Sequence, residues 1–183
     1  TYLKRHSAQT HSDLEFATMG IVPRRGSGLT CARPRLTAQV VIVSIYAGDE
    51  NVAQPSVQQR RVAQRLADSG EVDLGIGNHV HVVQPVEKIG NVWVAYGYGN
   101  LISGQYPTWH RNREGVTTAF TFSRQTDGSY AVTDARGYPT FNAADPTRVV
   151  DLVATLPATG GDHPRLVDAY RATKQTLLSM GAG

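Results

Sequence analysis

The sequence predicts an α/β fold, a mixed β-sheet with flanking helices. The first ground is a pair of short apolar runs, Val40-Val41-Ile42-Val43-Ser44-Ile45 and Val72-Asp73-Leu74-Gly75-Ile76-Gly77, each suited to a strand buried on both faces. The second is the stretch between them, where Val62, Ala63, Leu66 and Ala67 recur at helical spacing. Strand, helix and strand in that order make a crossover unit, whose two strands are expected to be parallel neighbours. The third is length: 183 residues with 40% hydrophobic content bury one core and fall short of two ordinary domains.

Taken along the chain, residues 1–37 show no sustained period of two or 3.6, and Arg24-Arg25-Gly26-Ser27-Gly28 followed by Pro34 reads as loop. The core begins at Gln39. Pro55-Ser56 fits a helix start and Gly70 a C-cap, giving a helix of about four turns. Val82 to Val86 and Val92 to Tyr96 flank Lys88-Ile89-Gly90-Asn91, while Val116 to Phe122 and Tyr130 to Asp134 flank a turn at Asp127-Gly128; both pairs are expected as antiparallel additions to the sheet. After Pro146 the pattern is helical, first at Val149, Val150, Leu152 and Val153, then at Leu166, Ala169, Tyr170, Leu177 and Leu178. The division is therefore a basic N-terminal segment, 1–38, and a folded domain, 39–183.

Composition narrows the partners. Cys31 is the only cysteine, which excludes an internal disulfide framework and a cysteine-based metal cluster. No run reaches the roughly 18 to 20 apolar residues of a membrane span, and Thr1 to Thr10 has no apolar stretch resembling a signal peptide, so localisation stays open. Of the net charge of +3, residues 1–35 carry Lys4, Arg5, Arg24, Arg25, Arg33 and Arg35 against Asp13 and Glu15, leaving 12 basic and 13 acidic residues for the rest. The basic character belongs to one segment, either a solvated arm or a contact for a polyanion. Nucleic acid is not expected, because no aromatics interleave with the arginines.

In a parallel crossover unit the loops leaving both strands emerge on one rim, where α/β sheets bind ligands. Here those loops are Tyr46-Ala47-Gly48-Asp49-Glu50 and Asn78-His79-Val80-His81. His79 and His81 are two apart, so in extended backbone both imidazoles project to one side and can converge on a cation; equally, they can be loop residues hydrogen-bonded to nearby backbone. Asp49 and Glu50 are candidates for a carboxylate ligand or for acid–base work, against the plainer role of charged loop residues. Gly97-Tyr98-Gly99-Asn100 follows another strand, and its glycines either let amides approach an anion or make a turn.

In order and spacing these pieces resemble the C-terminal motifs of the CapA-type family tied to poly-γ-glutamate capsule synthesis. The family's strand ending in His-Trp-Gly-x-Glu, its Gly-x-His-Pro-His loop and its Tyr-Ser-Leu-Gly-Asn segment correspond to Tyr46 to Glu50, Gly77 to His81 and Tyr96 to Asn100. Val83-Gln84-Pro85-Val86-Glu87 and Asn112-Arg113-Glu114-Gly115 match later stretches, and the likeness covers about residues 39–138 well. The resemblance implies the C-terminal half of a metallophosphoesterase-like αββα sandwich in which metal ions activate water for attack on phosphorus. It implies His79 and His81 as metal ligands, Glu50 and Asn100 as catalytic residues, and a divalent ion, zinc or manganese, in an incomplete site. Poly-γ-glutamate or another anionic polymer becomes the implied partner, and the cell envelope or exterior the implied location. Two departures stand out. Tyr46 occupies the position of a metal-binding histidine, and residues 1–38 hold neither the family's Asp-x-His pair nor its Asn-His loop, since His6 and His11 do not fit. The alternative that follows is a catalytically inactive binding or scaffold protein that keeps the family's half-sheet.

Overall fold

The apolar run at residue 40 becomes the strand β2 (Val40–Tyr46), and Val40, Val41, Val43 and Ile45 are buried along it. The structure, a computed structural model, describes residues 16–21 as backbone and residues 38–104, 110–144 and 146–182. The loop expected around residues 24–34, the histidines at 6 and 11 and the arginines of the basic segment lie outside the described residues.

Helix α1 (Val57–Asp68) begins where the local chemistry dictates. The Ser56 side chain accepts from the Gln59 N–H, the Gln59 side chain accepts from the Ser56 N–H, and this capping box satisfies two donors that the first turn leaves open. The helix ends at Ser69, with Gly70 following at a φ of +66°. It returns the chain to β3 (Leu74–Asn78), which pairs parallel with β2 from Ile42 opposite Leu74 to Tyr46 opposite Asn78, as the crossover order predicts. The strand starts two residues later than the apolar run. Asp73, ahead of it, is buried and accepts a 2.7 Å bond from the Val41 N–H.

The five-stranded sheet runs β1-β2-β3-β5-β4, where β1 is Phe16–Ile21, β4 is Val86–Ile89 and β5 is Val92–Ala95. Strand β1, in a segment with no sustained strand period, lies parallel to β2. Two expectations about the later strands need correction. The run 82–86 is largely not strand: β4 starts only at Val86, and Pro85, which lacks a donor, ends the preceding stretch. Strand β5 is not an antiparallel addition either, since it pairs parallel with β3 and only β4 runs antiparallel to it.

The second hairpin does not extend this sheet. Strands β6 (Glu114–Arg124), β7 (Tyr130–Ala143) and β8 (Arg148–Asp151) form a separate antiparallel sheet in the order β6-β7-β8. Val149 and Val150, expected as helical, are strand; α2 (Leu152–Ala158) starts after them because the Asp151 side chain caps the N–H groups of Val153 and Ala154. The last helix, α3 (Pro164–Leu178), falls where the sequence places it. Mixed α/β architecture is thus the observed class, with two sheets in place of one.

Val41, Val43, Ile45, Val94 and Tyr96 meet Val62, Ala63 and Leu66 of α1 on one face of the first sheet. A second cluster, Val83, Val86, Ala95, Val116 and Leu177, joins the hairpin β4–β5 to β6 and α3 and so ties the two sheets together. Burying a Leu or Val side chain is worth about 1.5–3 kcal/mol, so these two clusters hold the rim's loops on a rigid base. Among the described residues no helix is long and apolar enough to cross a membrane.

Candidate functional site

Because β2, β3 and β5 are parallel neighbours, their carboxyl ends deliver three loops to one rim. The register sets Tyr46 beside Asn78, so the loop bearing Glu50 and the loop bearing His79 and His81 leave the sheet side by side. Gly48 is required where the first loop turns: its φ is +114°, and a Cβ there would sit 2.5 Å from the Val80 side chain and 2.7 Å from that of Gln59.

The loop after β3 is not extended. His79 has a φ of 113° and His81 one of 60°, values that non-glycine residues adopt rarely and that cluster at functional sites. The extended, period-two backbone expected for this loop is therefore absent. His79 lies against the Tyr46 ring, with centroids 4.6 Å apart and planes inclined at 40°, and its Nδ1 is buried without a hydrogen-bond partner. His81 turns instead to Asn100, whose Oδ1 is 2.9 Å from its Nδ1.

That last contact fixes a proton. Asn100, buried at the end of the β5 segment, donates from Nδ2 to the Asn112 carbonyl at 2.9 Å. A carbonyl only accepts, so the amide NH2 belongs there and the amide oxygen faces the imidazole. An oxygen opposite Nδ1 requires hydrogen on Nδ1, and in the neutral ring Nε2 then carries the lone pair.

Glu50 lies exposed in the loop after β2, as does Asp49. Neither joins the histidines: among the described residues no three His, Cys, Asp or Glu side chains gather in a metal-binding group. The expectation of a cation held by His79, His81 and Glu50 together is not met by this geometry. A catalytic zinc site commonly takes three protein ligands, and the described donors are one lone pair at His81 and one unpartnered nitrogen at His79. Among the described residues the donors do not make up a closed metal centre.

Two polar clusters around the rim fall in stretches that the family likeness marks, Val83 to Glu87 and Asn112 to Gly115, though it implies no role for them. Gln84, wholly buried, donates from Nε2 to the carbonyls of Val52 at 2.9 Å and Gln54 at 3.2 Å, and accepts from Gln59 Nε2 at 2.7 Å. It pins the Glu50 loop to α1 and to the stretch after the histidines. The sequence hints are its place in the Val83 to Glu87 stretch and a glutamine inside the apolar run 82–86. On the other side, a short 3₁₀ turn (His110–Arg113) presents Arg111 to the buried carboxylate of Glu114, which Arg165 of α3 also reaches at 3.2 Å. Burial pushes the Glu114 carboxyl above its usual range, against the opposing pull of Arg111 and Arg165.

These features define a mixed α/β protein with a polar loop rim at the carboxyl ends of a mostly parallel sheet. Residues 28–105 match the family described as bacterial capsule synthesis protein PGA_cap. The PGA biosynthesis protein CapA of Bacillus subtilis (strain 168) is 29% identical over 149 residues, covering 71% of this chain and 38% of its own length. The capsule biosynthesis protein CapA of Bacillus anthracis is 28% identical over 83 residues, 45% of this chain and 20% of its own. The chain thus spans well under half of either curated relative. A solved structure, the calcineurin-like phosphoesterase YfkN of Bacillus subtilis, aligns over 92% of this chain and 58% of its own with 15% identity and a TM-score of 0.45. The family match and the two curated relatives make the chain similar to CapA-type capsule proteins over residues 28–105 and beyond.

Proposed function

We propose that this chain is the part of a CapA-type protein that works at the cell envelope or outside it in the synthesis or release of poly-γ-glutamate, engaging that anionic polymer at the rim of His79, His81 and Asn100. The observation that supports this reading is the His81–Asn100 pair, which presents a defined Nε2 on a loop of strained backbone. When protonated, that nitrogen donates a charge-assisted hydrogen bond to a polymer carboxylate; when neutral, it takes up a proton or binds a metal. A zinc or manganese ion enters this reading only with further ligands from outside the described residues, and no step here is routed through one.

Catalysis and binding without catalysis make different demands. Tyr46 in place of a histidine and the lack of a third gathered ligand favour the binding role among the described residues. Turnover of a generic phosphodiester with manganese that disappears in His81→Ala would overturn that choice and make the chain a hydrolase. For the proposal as a whole, calorimetry with poly-γ-glutamate is the test. His81→Ala should weaken binding about tenfold, the worth of one charge-assisted hydrogen bond. No measurable binding by the intact chain, or binding unchanged in His81→Ala and Asn100→Ala, would refute it.

A further inference from the structure

The geometry points to Asn112 and Asn51 as positioning residues for His81, acting through Asn100 and through the loop backbone; this rests on the reading of His81 as the working side chain of the rim. Asn112 contributes in two directions. Its carbonyl receives the Asn100 amide and thereby orients the oxygen that faces His81. Its own side chain donates from Nδ2 to Asn51 Oδ1 at 2.8 Å. The Asn51 N–H donates in turn to the Val80 carbonyl, also at 2.8 Å, and Val80 is the residue before His81.

The path His81–Asn100–Asn112–Asn51–Val80 therefore closes on the loop it started from. It draws in four segments: the loop after β2, the loop after β3, the stretch after β5 and the turn before β6. Asn51 sits at a φ of 65°, close to that of His81 at 60°, and asparagine is among the side chains that accept this conformation most readily. Both ends of the imidazole are thus specified. Asn100 sets which nitrogen holds the proton, and the Asn51–Val80 contact sets where the other nitrogen lies. Outer partners of this kind fix ring orientation and tautomer in functional histidines generally.

A mere tie between loops would make a different prediction, because it would change stability and leave the tautomer alone. The distinguishing measurement is ¹H–¹⁵N correlation of the histidine side chains in the metal-free, polymer-free protein at about pH 8, where imidazoles are neutral. His81 is identified by loss of its signals in His81→Gln. Wild type should show hydrogen on Nδ1 and a bare Nε2. Asn51→Gly keeps the backbone conformation and deletes the acceptor, and should shift the tautomer ratio about fivefold, the worth of one hydrogen bond. Asn51→Asp keeps an acceptor in the same place and should restore the wild-type ratio. Asn51 is exposed, so neither substitution opens a cavity. A wild-type ring protonated on Nε2, or an unchanged ratio in Asn51→Gly with only its thermal midpoint lowered, would overturn the inference. Neither outcome depends on whether poly-γ-glutamate binds, so the capsule reading and this one fail separately.

Discussion

Replacing Gln84 with leucine nearly conserves side-chain volume and deletes three short hydrogen bonds at once, besides a marginal 3.5 Å one to Gln59 Oε1. The Val52 and Gln54 carbonyls lose their donor, and the Gln59 amide loses its 2.7 Å acceptor. At about 1 kcal/mol net per bond the loss comes to about 3 kcal/mol. Two considerations set its range. Val52 and Gln54 lie on an exposed loop that can turn its carbonyls to water, and Gln59 keeps a 3.3 Å bond to the Tyr96 carbonyl, so the lower bound is about 2 kcal/mol. If the loop cannot turn, buried unsatisfied carbonyls at about 1–3 kcal/mol each take the cost above 3. Urea unfolding monitored by circular dichroism gives the answer from the shift in midpoint at constant slope. Hydrogen exchange should also show the loop from Asp49 to Gln54 opening more readily than α1. A loss under about 1 kcal/mol would show that the amide network is dispensable and that other contacts hold this loop, refuting the account of how Glu50 is placed.

Gly77→Ala should fail to fold or lose more than about 4 kcal/mol, because the added Cβ would lie 2.0 Å from the Tyr96 carbonyl oxygen, part of a neighbouring backbone with little room to move; a thermal midpoint within a few degrees of wild type would contradict the close approach. Glu114→Gln tests the buried carboxyl. Since burial holds the Glu114 pKa above its unfolded value, its contribution to stability is present in acid and is lost as pH rises through the folded value. The stability of Glu114→Gln relative to wild type should therefore rise between about pH 4 and neutrality, as read from urea midpoints across that range. A difference that does not change with pH would show that Arg111 and Arg165 offset burial, and one that falls as pH rises would show that they outweigh it.

The predicted elements that formed as expected share a local cause. The β-branched run at 40–45 has little choice but to be a buried strand, and Ser56 with Gln59 starts α1 through contacts three residues apart. The crossover order then brought the Tyr46 and His79 loops together, as parallel pairing demands. The errors have causes beyond the reach of a local pattern. Val149 and Val150 suit a helix stripe and a strand equally, and pairing of β8 with β7 decided the matter. The hairpin β6–β7 carries the alternation of any half-buried strand pair, and nothing along it says which sheet it joins.

The site divides in the same way. That His79, His81, Glu50 and Asn100 lie in loops leaving strand ends was legible from order and spacing alone, because chain direction through a parallel sheet fixes which end each loop leaves. Which side chains meet was not. His81 and Asn100 are 19 residues apart and Asn51 and Asn112 are 61 apart, and each pair depends on a hydrogen bond of about 3 Å. A shift of one residue in strand register would break either contact, and no local propensity carries that precision. Sequence determined the crossover unit and the rim; tertiary packing, in which Val116 of β6 and Leu177 of α3 join the β4–β5 hairpin, decided how the second sheet meets the first.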